Sequence, residues 1–429
     1  MYIDRTLPSV ALKTSNLKPV SWQSFYNPFS LTSPSSFLDL YDLGEKPLLL
    51  WSDAFATAAH EIFGLTFPAP TPRNTALAEW CKIADLGLKI GPAYTDAIEE
   101  ERTAKAVPLK EALPPFAITE RAKEGVIPPT KLSSEISKVS PFSRIFKFDH
   151  VSQSPETPTF VIAAPNSGTA IHQMRDTVLA FLRVGNVRLV EQRDPHYVPS
   201  EFKNGMDDST AALIGVLRDN PNAHLISISQ SGTTAVVATA LMFQNPSDKA
   251  AAPASLTVIG SPINAEIAPG FLSRLATTTY GEPPSIRVGP HYPGAGRDIL
   301  PGHVPALYFE SEPEVGKLIR QALPAEHIHD TLERVFRGYW LPKGTYRFHD
   351  QKVDPSAITC PVLTFAGAKD DICPPPQPHD LHRLTPNAKT HSQETLPHTT
   401  HRGLISSHAL TETIVPRIVA VTQSAQLVP

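Results

Sequence analysis

The chain has 429 residues, a formal charge of −4 at pH 7 and an apolar fraction of 41%, values that exclude wholesale disorder and accommodate one large domain with an appendage. Charge is nearly balanced and no Lys/Arg cluster alternates with aromatics, which argues against a nucleic-acid partner. The cysteines, Cys81, Cys360 and Cys373, form no C-x-x-C and no metal-ligand spacing, a scatter that suits a reducing compartment. The opening Met1-Tyr2-Ile3-Asp4-Arg5 lacks the basic start and apolar core of a signal peptide, and no apolar run reaches membrane-spanning length. A cytoplasmic location without integral membrane contact is expected.

In chain order, residues 1–100 read as a largely helical extension. Leu38, Leu40, Trp51, Phe55, Ile62 and Phe63 recur at spacings of three and four, with Ser35 and Ser36 as candidate N-caps; Leu77, Trp80, Ile83 and Leu86 form a second apolar face. Such faces are usually core rather than partner-binding; packing against the domain that follows or against an external hydrophobic surface are both open. Residues 101–142, rich in Lys, Glu and Pro and including Pro114-Pro115 and Pro128-Pro129, read as an extended connector. Residues 143–429 then alternate apolar runs with helical segments, as expected for an α/β domain.

The stretch from His224 to Met242 is the most informative. Leu225, Ile226 and Ile228 suit a buried strand, Ser229 a tight turn, and the Ala/Val run from Ala235 a helix that packs closely on the sheet. A sharp strand-to-helix turn of this kind lifts a nucleophile oxygen to the top of an α/β-hydrolase sheet. The usual G-x-S-x-G is here Ser227-Ile228-Ser229-Gln230-Ser231, with serine at both glycine positions. A turn serine is otherwise a cap or a satisfied turn residue.

The C-terminal third of the chain supplies the other members of a triad in the order nucleophile, acid, histidine. The apolar run Pro361–Phe365 leads into Gly367-Ala368-Lys369-Asp370-Asp371-Ile372, where Asp370 is the better acid and Asp371 its rival. His391, His398 and His401 compete for the histidine ahead of a last helical segment, Ala409 to Val421. The fold expected is an α/β-hydrolase with a mostly parallel central sheet. Residues 264–355, between the strand after the nucleophile helix and the acid strand, should form a cap or lid rich in aromatics: Tyr280, Tyr292, Phe309, Phe336, Tyr339 and Trp340.

From about Phe160 onward the chain resembles the intracellular poly(3-hydroxybutyrate) depolymerases. The resemblance rests on Ala164-Pro165-Asn166-Ser167-Gly168, Asp194 to Pro199, Thr257 to Pro262, Tyr292-Pro293-Gly294 with Arg297-Asp298, Leu341-Pro342-Lys343-Gly344, Val353-Asp354-Pro355 and Gly367 to Ile372, all in the family's order. The family commonly carries cysteine where this chain has Ser229, followed by the same Gln230. Its triad histidine precedes a small turn of the form H-x-G, which His401-Arg402-Gly403 reproduces, so the resemblance selects His401. Related polyester synthases hold the growing chain as a thioester, so serine favours hydrolysis.

What the resemblance implies is ester hydrolysis of polyhydroxyalkanoate, at a granule surface or as 3-hydroxyalkanoate oligomers, without cofactor or metal. Ser229 would attack, His401 act as base and Asp370 orient it. The backbone N–H of Gln230, with one from the Asn166-Ser167 turn, would form the oxyanion hole. Three further readings stand beside this one: a carboxylesterase or lipase with the same triad, an inactive granule-associated homologue, and, more weakly, a metal hydrolase built on the three histidines and two acids.

Overall fold

The computed structural model describes residues 75–104, 118, 125, 130–150, 154, 157–166, 173–278, 285–306 and 321–426, with side chains of the first helix described from Lys89 onward. The helical expectation before residue 75, its candidate caps Ser35 and Ser36, the two Pro-Pro pairs, Ser167, Tyr280 and Phe309 lie outside the described residues.

An eight-stranded sheet organises the chain. Its strands are β1 (Thr130–Ile136), β2 (Ser143–His150), β3 (Thr159–Ala163), β4 (Asn186–Gln192), β5 (His224–Ile228), β6 (Ser255–Ile259), β7 (Val362–Gly367) and β8 (His391–Leu396), arranged β1-β2-β4-β3-β5-β6-β7-β8. From β4 across to β8 every pairing is parallel, and β1 and β2 extend the sheet in antiparallel fashion. This is the α/β-hydrolase fold. Helices cover both faces, as parallel strands require: α2 (Arg175–Leu182) and the C-terminal α7 (Val415–Gln426) on one side, α3 (Met206–Asp219) and α4 (Ser231–Gln244) on the other.

Strand alternation divides the core between the two layers. Phe160, Ile162, Ile226 and Ile228 point toward α2 and the C-terminal helices, whereas Val161, Ala163 and Leu225 point toward α3 and α4. Helix α4 is apolar all round and buried from Ser231 to Met242, the state such a sequence demands.

The sheet begins earlier than sequence indicates. The expected connector over 101–142 contains β1, whose TKLSSEI is almost wholly exposed and paired to β2 through its backbone. An edge strand with one partner and no buried face carries no apolar alternation, so it reads as linker. Helix α1 (Thr75–Thr103) also runs past the expected end of the extension. Its last turn is tied to the residues after β4 and to the small sheet that follows β6: Glu101 Oε1 lies 2.5 Å from His196 Nε2, and Glu101 Oε2 accepts from Gly289 N at 2.7 Å. His196 Nδ1 in turn meets Asp194 Oδ1 at 2.5 Å.

Between β6 and β7, the expected cap segment carries α5 (Phe271–Thr278), a small antiparallel sheet of Ile286–Arg287, Asp298–Leu300 and Leu323–Pro324, then α6 (Ala325–Thr331), which continues as a π-helical turn, Leu332–Arg337. Two satellite cores stabilise it, one built on Met206, Ala276, Val335 and Phe336, the other on Val288, Ile299 and Ala322. Its aromatics mostly serve packing. Phe336 is core, Tyr292 packs on His196 at 4.7 Å, and Trp340 meets Tyr346 edge-on at 6.1 Å with Arg334 over its ring. Among the described residues no helix is long and apolar enough to cross a membrane.

Candidate active site

The end of β5 folds as a strand, one strained residue and a helix. Ser229 takes φ 57°, a conformation that costs a non-glycine residue of order 1 kcal/mol, and is held there by its neighbours. Its N–H donates to Ile259 O at 2.9 Å at the end of β6, and Gly232 N donates back to Ser229 O at 3.1 Å.

The two serines that replace glycine both have structural work. Ser231 Oγ donates to Ala163 O (2.8 Å) or Ile228 O (2.9 Å) and accepts from Ile228 N (3.0 Å), so it ties the turn to the end of β3. Ser227 Oγ donates to Thr257 O at 3.2 Å on β6. At Gly232 a Cβ does not fit, since it would stand 2.3 Å from Ser261 Cβ. It lets α4 sit tightly against the residues after β6.

Ser229, His401 and Asp370 lie in one hydrogen-bonded line. His401 Nε2 is 3.0 Å from Ser229 Oγ, and His401 Nδ1 is 2.7 Å from Asp370 Oδ2. The Asp370 side chain is 0% exposed and that of His401 16%, so the acid is withdrawn from water while the imidazole edge is not. Asp370 Oδ1 accepts from the backbone N–H of Ile372 (3.0 Å) and Cys373 (2.8 Å). Both carboxylate oxygens are therefore committed, which fixes the orientation of the group. Gly260, at φ 53°, closes the site from the β6 side: a Cβ there would fall 2.9 Å from Leu404 Cδ1 and 3.4 Å from both His401 Cε1 and Asp370 Oδ2.

The competing residues lie elsewhere. Asp371 is exposed, one position beyond the buried acid. His391 starts β8 and its Nε2 meets Thr385 O at 2.9 Å; His398 is exposed in the turn after β8, at φ 59°. Among the described residues no group of three or more His, Cys, Asp or Glu is placed to hold a metal ion. Cys373 is buried, its sulfur far from reactive: burial, aided by the Asp370 charge, pushes the thiol well above its ordinary range.

Gln230 adopts helical geometry directly before Ser231, so its N–H belongs to the first turn of α4, where backbone donors have no intrahelical acceptor. Asn166 lies beyond β3, whose Ala163 pairs with Ser227 of β5 beside the turn. One contact has no sequence signal: Asn166 Nδ2 donates to Nε2 of His327, on α6 between β6 and β7, at 2.8 Å. The two residues are separated by 161 positions and His327 belongs to no motif.

Residues 319–426 match the family model described as the PHB de-polymerase C-terminus, a span that contains Asp370 and His401. No curated protein is detectably similar in sequence. Among solved structures, Est1E from Butyrivibrio proteoclasticus is 13% identical at a TM-score of 0.41, with 69% of this chain and 98% of that chain covered. A thermophilic esterase from Thermogutta terrifontis gives 14% and 0.40, with 69% and 99% covered. A monoacylglycerol lipase from Paleococcus ferrophilus gives 14% and 0.40 with the same coverages. The strand order and the turn at Ser229 define the fold, and the region from Gln321 to Gln426 is the described part of a segment similar to the C-terminus of PHB depolymerases.

Proposed function

We propose that this chain is a serine ester hydrolase that depolymerises polyhydroxyalkanoate, with poly(3-hydroxybutyrate) as the first substrate to test. The observation that carries the reading is the line from Ser229 Oγ through His401 to the buried Asp370, at 3.0 and 2.7 Å, on a strained strand-to-helix turn. An alcohol is a weak nucleophile until a neighbouring base takes its proton, and this geometry provides one.

In the proposed reaction His401 Nε2 removes the Ser229 proton as Oγ attacks the ester carbonyl. Asp370 keeps the ring proton on Nδ1 and stabilises the imidazolium. The carbonyl oxygen, now anionic, is bound by the N–H of Gln230 and one from the Asn166 turn. The tetrahedral intermediate collapses as His401 protonates the departing hydroxyl of the polymer chain. Water, activated by the same imidazole, then releases the 3-hydroxyacyl group from Ser229. Each step uses a side chain, a backbone N–H or water, so the scheme calls for no cofactor.

The polymer is supported by the PHB depolymerase match over 319–426 and by the motif series from Ala164 to Ile372. Serine in place of the cysteine common in that family favours hydrolysis over chain synthesis, because an oxygen ester is a poorer acyl donor than a thioester. Action at the surface of cytoplasmic granules, with the segment 264–355 as a cap over the polymer, completes the proposal.

The test is purified protein on amorphous poly(3-hydroxybutyrate) granules, with short p-nitrophenyl esters in parallel. Release of soluble 3-hydroxybutyrate units that is lost in Ser229→Ala is expected. Turnover of the soluble esters with none on granules would reassign the chain to the carboxylesterases or lipases. Inactivity on both would point to a homologue that has lost the chemistry.

A further inference from the structure

Helix α6 reaches from the cap segment to the main domain through side chains on neighbouring positions. Glu326 Oε1 accepts from Asn204 N at 3.1 Å, Asp330 Oδ2 accepts from Met206 N at 2.9 Å, and between them His327 Nε2 accepts from Asn166 Nδ2 at 2.8 Å. Farther back, Gln321 Nε2 donates to Gln192 O at 2.6 Å, the last residue of β4. The acidic contacts anchor the helix on the segment leading into α3. They leave the imidazole, 2% exposed, with little freedom to move.

The ring meets a functionally sensitive point. Asn166 stands three residues beyond Ala163, whose carbonyl is itself held by Ser231 Oγ of the nucleophile turn at 2.8 Å. Oxyanion donors act only if they sit about 2.7–3.1 Å from where the charge develops, so a small displacement of this turn forfeits their effect. A neutral imidazole protonated on Nδ1 is the state that accepts from Asn166. Burial favours that neutral state, pushing His327 below its ordinary range against weaker upward pulls from Asp330, the Gly205 carbonyl and Glu326.

We propose that His327 is a positioning residue for ester hydrolysis: it holds the Asn166 side chain so that the turn after β3 presents its backbone donor to the oxyanion, making the cap segment a structural part of the oxyanion hole. The inference rests on the ester-hydrolase reading and adds a residue to it. His327 touches no reacting atom and transfers no proton.

The test compares kinetics on a p-nitrophenyl ester for His327→Leu, His327→Gln, Asn166→Leu and the double Leu variant, with Ser229→Ala as the reference. Loss of one oxyanion donor costs about a hundredfold or more in turnover, so loosening its support should lower kcat by about tenfold or more. KM should stay within about threefold, because ground-state binding does not use the donor. His327→Gln, whose amide oxygen replaces the acceptor, should recover to within about threefold of wild type. Asn166→Leu should match His327→Leu, and the double variant should be no worse than either. Affinity for a trifluoromethyl ketone, which forms a tetrahedral adduct, should fall in step with kcat/KM. A kcat for His327→Leu within about twofold of wild type, or losses that multiply in the double variant, would overturn the proposal. If His327→Leu does not fold, Asn166→Leu carries the test, and unchanged turnover in it is equally fatal. Activity that survives in Ser229→Ala would instead overturn the underlying hydrolase reading, so the two failures are distinct.

Discussion

Asp370→Asn should separate the acid from its neighbour with a margin set by the hydrogen-bond pattern. Oδ1 accepts two backbone N–H groups, from Ile372 and Cys373, and Oδ2 faces His401 Nδ1 at 2.7 Å. An asparagine has one oxygen, and turning its NH2 toward the two backbone donors would leave three donors in conflict around a side chain that is 0% exposed. The amide oxygen therefore stays with the backbone and Nδ2 is presented to His401. That forces the ring proton from Nδ1 to Nε2, where the imidazole can no longer accept from Ser229. The wrong tautomer costs about 10⁴-fold in kcat in the general triad case, and about 10³–10⁴-fold is expected here. Asp371→Asn, at an exposed position, should stay within about threefold of wild type. Initial rates on a p-nitrophenyl ester at saturating substrate, with circular dichroism as a fold control, read both. An Asp370→Asn enzyme that keeps more than about a tenth of wild-type kcat, or a larger loss in Asp371→Asn, would refute the reasoning.

His401→Ala should remove activity at every pH, whereas His391→Ala and His398→Ala should stay within about threefold, since neither imidazole is bonded to the Ser229–Asp370 line; rate–pH profiles of the three variants check this. Ser231→Ala removes the oxygen that ties Ile228 to Ala163 and should cost about 1–3 kcal/mol, read as a lower urea midpoint; Ser231→Gly, although it restores the common motif, should be no more stable than the alanine variant. Burial would depress His196, but the charge and hydrogen bond of Asp194, joined by Glu101, carry it up from 6.5 to about 10. Because that folded-state value is raised, the stability it confers is full below about pH 6.5 and is lost as pH rises toward about 10. The unfolding free energy should therefore fall more steeply between pH 7 and 10 in wild type than in His196→Gln. Equal slopes in chemical denaturation would contradict it.

The parts of this fold legible in sequence are those whose signal is local. Leu225–Ile228, Ser229 and the Ala/Val helix lie in one continuous stretch, and Asp370 and His401 each come after a short strand, so chain order and motif suffice to nominate them. The distinction between Asp370 and Asp371 is not local: it depends on which side chain the Ile372 and Cys373 N–H groups capture. Serine at the two glycine positions reads as a weakened motif, yet Ser231 is the pin between the turn and β3. Strand β1 is hidden in the sequence because edge pairing needs backbone and not apolar side chains. His327 is equally hidden, because a single buried histidine in a long insert has no spacing to betray it and its partner is 161 residues away.

The central claim is that Ser229 is an activated nucleophile, and covalent labelling tests it most directly. Intact-mass and peptide-mapping analysis after treatment with a fluorophosphonate should show a single adduct on Ser229, absent in Ser229→Ala and strongly slowed in His401→Ala. Ser229→Cys should lose that adduct and gain alkylation by iodoacetamide at the same position, with measurable residual hydrolysis. An unlabelled wild-type protein, an adduct on Ser231, or labelling indifferent to the loss of His401 would contradict the account.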